Sequence, residues 1–250
     1  LFRYDRCMER ADLKKFDLPD TPGVYLFKKG RKVLYVGKAT SLRDRVRSYF
    51  DDDLIATRGP RLVDMVTQAD SISHETSPTV LEALVREAAF IREYDPPASA
   101  MGKDDKSFLY AVITDEEIPR VLAFRGTDID FKQKVVNPTG DKVKASYGPF
   151  PSGYQLREGL RLIRRIFPFY DTDRPLMLDE TSGRVLRSTG NKHQQAKVEF
   201  NRQIGQYPHE FDRRRYLRSI RNVGLFLSGK TKALRFMLTK EMKEAAKDER

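Results

Sequence analysis

The chain of 250 residues contains one cysteine, Cys7. A single thiol excludes a disulfide within the chain and leaves no way to build a cysteine-ligated zinc or iron–sulfur centre. An intracellular setting is the simplest inference. Histidine is scarce too: the three residues are His74, His193 and His209, with nothing at zinc-ligand spacing, and His74 reads as a structural strand residue. No apolar run approaches the roughly 18 residues of a bilayer-spanning helix. The opening stretch LFRYDRCMERADLKKF is too charged for a signal peptide, so the expected location is cytoplasmic with no membrane partner. Internal repeats and long low-complexity segments are missing as well. The chain opens without methionine and closes in EMKEAAKDER, a helical pattern with no stop signal, which predicts trimming at both ends.

Positive charge is plentiful. The formal net charge is +11 with a pI near 9.6, which points to an anionic partner, nucleic acid first and an acidic membrane surface behind it. The excess is uneven: residues 1–100 hold 17 lysines and arginines against 16 acids, and residues 101–250 hold 30 against 20. A nearly neutral lobe followed by a basic one suits a nucleic-acid anchor beside a second activity; a solubilising surface is the plainer alternative.

The stretches GVYLFKK and KVLYVG are rich in β-branched and aromatic residues and flank Gly30-Arg31, which predicts a hairpin. Ser41 is placed to cap a helix in which Leu42, Val46 and Phe50 share one face, and Arg45 and Tyr49 another. GPRLVDMVTQ reads as a second helix and SISHET as a short strand. SPTVLEALVREAAFIREYDPP is the clearest helix, with Pro78 in a first turn, a Thr79/Glu82 capping box and Pro96-Pro97 as its stop. The order β-β-α-α-β-α predicts an α+β domain over residues 15–98. Beyond it, SFLYAVIT and RVLAFRG predict paired strands, a further strand ends at ASYGPF, and YQLREGLRLIRRIF predicts a helix. Residues 171–188 have turn-rich composition, and helices follow from Lys192 onward.

A tyrosine beside a lysine can have its phenolate favoured, an arginine can clamp phosphate, and a carboxylate can hold magnesium. Together these are the parts of metal-assisted phosphodiester hydrolysis. GVY at 23–25 and YVG at 35–37, followed by YVGKATSLRDRVRSYF, LEALVREAAFIREYDP, KDDKSFLYAVIT, YGPFPS and FLSGKT, resemble in that order the GIY-YIG nucleases, and among them the N-terminal half of the UvrC family or a short homologue of the Cho type. The resemblance implies a small nuclease domain at 15–98, a three-stranded antiparallel sheet with flanking helices. It implies a basic α+β and helical middle region at 99–225, and at 226–250 the start of a UvrB-interacting helical segment.

The same resemblance implies site roles. Tyr35 matches the general base, with Tyr25 beside it and Lys38 after the motif glycine Gly37; Gly23 is the other motif glycine. Arg45 matches the phosphate-stabilising arginine, Tyr49 the second tyrosine of its helix, and Glu87 the holder of one Mg2+ or Mn2+ ion. Glu87 also stands out unaided, because an acid on the apolar stripe between Leu84 and Ile91 is costly unless paired or coordinated. Ser99 stands about where the family has an asparagine. No iron–sulfur cluster is expected, since Leu176 and Tyr207 stand at two of the positions where many relatives have cysteine. Arg161, Arg164 and Arg165, with Arg214, Arg218 and Arg221 on one helical face, are DNA-backbone candidates. The implied function is the 3′ incision of damaged double-stranded DNA with a UvrB-like partner. The alternatives are a non-catalytic DNA-binding scaffold and a structure-specific nuclease independent of UvrB.

Overall fold

In the computed structural model the hairpin forms where expected: β1 (Gly23–Lys29) pairs antiparallel with β2 (Lys32–Ala39). Gly30 takes the left-handed conformation at φ 56° that the reversal requires, and its N–H donates to Asp70 Oδ2 at 2.7 Å. The structure describes residues 8–51, 59–99, 108–178, 185–187, 192–208, 211–236 and 238–239. Two compact units emerge, residues 1–106 with 149–151, and residues 107–148 with 152–250.

In the first unit the elements continue with α1 (Leu42–Arg47), α2 (Pro60–Gln68), β3 (Ser71–Thr76) and α3 (Val80–Tyr94). The sheet is three-stranded and antiparallel in the order β2-β1-β3. Val24, Tyr25, Leu26 and Phe27 of the central strand are all buried. Successive side chains of a strand point to opposite faces, so both faces of the sheet are covered. α1 and α3 each pack against β1 and β2. Tyr25, Phe27, Leu42, Val46, Tyr49 and Ile72 belong to one apolar core.

The caps fall at the expected residues. Ser41 Oγ accepts from Asp44 N–H at 3.2 Å, and Thr79 accepts from Glu82 N–H at 3.1 Å. Two details of α3 differ. Pro78 precedes the cap and lies outside the first turn, and the helix stops at Asp95, which adopts φ 40° and donates to Ile91 O at 2.9 Å before Pro96 is reached. Outer strand β2 does not have a bare edge. Ala98 N–H donates to Leu34 O at 2.9 Å, Val36 N–H donates to Ser99 Oγ at 2.9 Å, and that hydroxyl donates to Val36 O at 3.2 Å.

In the second unit β4 (Leu109–Thr114), β5 (Val121–Arg125), β6 (Ile129–Asp130), β7 (Val135–Val136) and β8 (Asp141–Phe150), whose last two residues count with the first unit, form a sheet in the order β5-β4-β8-β7-β6. Then come α4 (Gly153–Ile166), the short hairpin of β9 (Leu176–Leu178) and β10 (Val185–Arg187), α5 (Lys192–Gln203) and α6 (Arg213–Leu227). Part of the turn-rich stretch is thus a hairpin. Residues 231–236 are helical, and residues 240–250 lie outside the described residues. His209 and the side chain of His193 do as well. Leu176 and Tyr207 are buried apolar and aromatic packing: Tyr207 packs tilted against Tyr170 with centroids 4.8 Å apart and donates its hydroxyl to Asp171 at 2.6 Å. Arg120 is fully buried, with Nε 2.6 Å from Glu116, a second donor 2.5 Å from Asp141 and a third on Thr172 O at 2.9 Å.

Candidate active site

Pairing register sets the two tripeptides face to face, with Tyr25 opposite Gly37 and Gly23 opposite Ala39. A Cβ at Gly37 would overlap the Tyr25 hydroxyl and lie 2.6 Å from Tyr25 Cζ and 2.9 Å from Tyr35 Cε1. The glycine leaves the volume that the Tyr25 phenol fills. A Cβ at Gly23 would overlap Glu75 O and lie 2.7 Å from Leu42 Cδ1. Both motif glycines are therefore required by close approach, and neither is a turn residue.

Three phenols converge beneath α1. The ring centroids of Tyr25, Tyr35 and Tyr49 lie 5.8 to 6.1 Å from one another. Tyr25 and Tyr49 share a hydrogen bond of 2.8 Å between their hydroxyls, and Tyr35 is hydrogen-bonded to Tyr49 as well. Arg45 leans over this cluster, its Nε donating to Tyr25 Oη at 3.3 Å and its guanidinium carbon 5.7 Å from the Tyr49 centroid. The guanidinium is half-buried, with one nitrogen committed to the phenols. Its planar fork of donors matches the paired oxygens of a phosphate.

Glu87, on the buried side of α3, is 5% exposed. Its Oε1 accepts from the Lys38 backbone N–H at 3.1 Å, and its Oε2 lies 3.4 Å from Lys38 Nζ. Oε2 nevertheless accepts no hydrogen bond. Burial, its largest influence, raises the Glu87 pKa above the ordinary carboxylate value, and Lys38 and then Arg45 counteract it. A buried carboxylate oxygen whose ammonium neighbour stands off at 3.4 Å can serve a hard divalent cation, which takes oxygen ligands. Among the described residues no cluster of three or more acids, histidines or cysteines accompanies it.

Electrostatic reach joins the parts. Burial is the main reason that the Tyr35 phenol is pushed well above 10.0; Tyr49 and Glu87 add to the rise and Arg45 opposes it. Tyr25 is raised in the same way, by burial and then by its two phenol neighbours. The Lys38 ammonium lies against Glu87, and burial holds the Tyr35 hydroxyl in its neutral form. The structure thus brings Tyr25, Tyr35, Gly37, Lys38, Arg45, Tyr49 and Glu87 into one neighbourhood. Ser99, expected where relatives have an asparagine, spends its hydroxyl on the β2 backbone. Composition gives no sign of that use.

In the second unit Arg161 and Arg165 are exposed on α4, and Arg214, Arg218 and Arg221 are exposed on α6. Arg164 is different. Its side chain is 11% exposed and is held by Asp171, by Gln206 Oε1 at 2.8 Å, and against the rings of Phe169 and Tyr207. Arg164 therefore ties α4 to the aromatic cluster and leaves the set of phosphate-binding candidates.

Residues 21–98 match the family described as the UvrC-like GIY-YIG domain, so this segment is a GIY-YIG domain of UvrC type. The chain around it is UvrC-like and resembles the N-terminal part of those proteins. It is 33% identical to UvrABC system protein C of Synechocystis over 93% of this chain and 33% of the relative. It is 40% identical to that of Streptomyces griseus over 62% of this chain and 20% of the relative. The chain spans about a fifth to a third of the length of the curated relatives it matches. Among solved structures it is similar to the GIY-YIG N-terminal endonuclease domain of UvrC from Thermotoga maritima bound to its catalytic divalent cation, magnesium. That likeness has 30% identity, covers 36% of this chain and 98% of that one, and has a TM-score of 0.32.

Proposed function

We propose that the first unit is the nuclease of a UvrC-type endonuclease acting in DNA excision repair, hydrolysing a phosphodiester on the 3′ side of a lesion together with a UvrB-like protein. The observation that carries this reading is the shared neighbourhood of Tyr35, Arg45 and Glu87, in which Tyr35 and Arg45 meet on the Tyr25–Tyr49 pair and Glu87 is tied to Lys38, next to Gly37 on the same strand as Tyr35. Glu87 would hold one Mg2+ or Mn2+ ion through the oxygen that accepts no hydrogen bond. Such an ion, when bound, supplies Lewis-acid polarisation of the phosphate.

The remaining work falls to the chain's own groups. Arg45, fixed on the phenol cluster, stabilises the negative charge that builds on the phosphoryl oxygens. Tyr35 accepts the proton of the attacking water in its phenolate form, which burial makes scarce at neutral pH. Tyr25 and Tyr49 hold Tyr35 and Arg45 in register. The exposed arginines of the second unit provide contacts to the DNA backbone that do not depend on sequence.

Tyr35→Phe, Arg45→Ala and Glu87→Gln should each abolish metal-dependent nicking of lesion-bearing duplex in the presence of UvrB, with DNA binding retained. Normal incision by the Glu87→Gln protein would overturn the metal assignment. Cutting of undamaged branched DNA without UvrB would replace the repair reading with a structure-specific nuclease, and binding without any cutting would leave a scaffold.

A further inference from the structure

A groove of about 660 Å3 in the second unit is separate from the phenol cluster. Its wall includes Asn222 of α6, which is 4% exposed and has an Oδ1 that accepts no hydrogen bond. Leaving a buried amide oxygen unsatisfied costs about 1–3 kcal/mol, so on a residue that lines a groove it offers an acceptor to a donor that presses in from outside. The apolar boundary comes from Ile166, Pro168 and Pro208; Tyr207 and Tyr216 also border the groove, with rings that are almost wholly buried. Ile166 is 62% exposed, too open for a core residue.

Positive charge predominates at the groove. Arg215 and Arg218 line it and are exposed. The one acid among its described lining residues, Asp212, caps α6 by accepting from Arg215 N–H at 2.6 Å. Arg218 continues into the exposed row formed with Arg214 and Arg221 along the same helix.

We propose that this groove receives one unpaired nucleotide of a nucleic-acid strand. Its base would lie against the apolar wall of Ile166, Pro168 and Pro208 and donate an N–H to Asn222 Oδ1, and its phosphates would lie against Arg215 and Arg218. Every base offers such a donor, an amino group on adenine, cytosine and guanine or the imide of thymine, so the site reads the presence of a base and not its identity. A lesion-processing protein would have use for such a site, because a strand can open next to damage. The inference rests on nucleic acid as the partner of the second unit and does not require that the first unit cuts.

The test is binding by the whole chain, without divalent cation, of a short single-stranded oligonucleotide and of its abasic counterpart with the same backbone, followed by fluorescence anisotropy. The intact strand should bind about tenfold more tightly, the size of one well-stacked base. Asn222→Leu should shrink that preference severalfold without altering affinity for the abasic strand, and Arg215→Ala with Arg218→Ala should weaken both strands alike. Equal affinity of the unaltered chain for the two strands, or an undiminished preference in Asn222→Leu, would overturn the proposal. Should Asn222→Leu fail to fold, ultraviolet cross-linking of a 4-thiothymidine oligonucleotide to the unaltered chain decides: labelling at residues 166–168 or within the groove-lining part of 207–222 is the expected result, and labelling only elsewhere defeats it.

Discussion

Gly37 and Tyr25 show how one atom can decide a site. Gly37→Ala would drive a methyl group into the Tyr25 phenol, and overpacking of this kind costs about 1–3 kcal/mol. The expected outcome is a lower midpoint in urea unfolding together with loss of nicking, because the displaced phenol also anchors Arg45. The raised pKa of Tyr35 gives a second prediction. A base whose pKa lies well above neutrality gains its active form about tenfold per pH unit as pH rises toward that value. Single-turnover nicking should climb through the neutral and mildly alkaline range, and Tyr35→Phe should remove the climb along with the activity. At this scale the sequence was informative about identity and not about charge state. The tripeptides mark Tyr25, Tyr35 and Gly37, and the apolar stripe marks Glu87. The pairing of Lys38 with Glu87 depends on a contact between β2 and α3 that no local pattern contains.

Elements with strong punctuation were legible. Ser41, Thr79 and the Gly30 turn act where the pattern puts them, because capping and left-handed turns are local chemistry. The two- and three-residue strands β6, β7, β9 and β10 were not, since so short a run cannot show alternation and owes its pairing to neighbours distant in sequence. Arg120 was hidden for the same reason: its partners Glu116, Asp141 and Thr172 come together only in the folded unit. Arg120→Ala would leave two carboxylates without their buried cation, and breaking a buried pair costs about 3–5 kcal/mol. The second unit should unfold at clearly lower urea in that variant, measured by far-ultraviolet circular dichroism with fluorescence, whereas exposed Arg161→Ala should change the midpoint little.

For the whole molecule, the proposed function makes the uneven charge a division between binding and chemistry, which salt dependence tests. The slope of the logarithm of DNA affinity against the logarithm of salt concentration reports the phosphates neutralised, about 0.9 per contact. Replacing Arg214, Arg218 and Arg221 together by alanine should flatten that slope by as much as about 2.7. Arg164→Ala should leave the slope unchanged and lower stability, because that guanidinium is spent on Asp171, Gln206 and two rings. The charge count foretold a basic second part, but only the fold separates cations offered to solvent from cations used as packing.

The backbone bonds from Ala98 and Ser99 to β2 reach beyond the site they border. The strand bearing Tyr35, Gly37 and Lys38 is also the rim of its sheet, and an open rim recruits strands from neighbouring molecules. A two-residue hem covers it at Leu34 and Val36, so crowded copies of the protein are kept from knitting these strands into a shared ribbon.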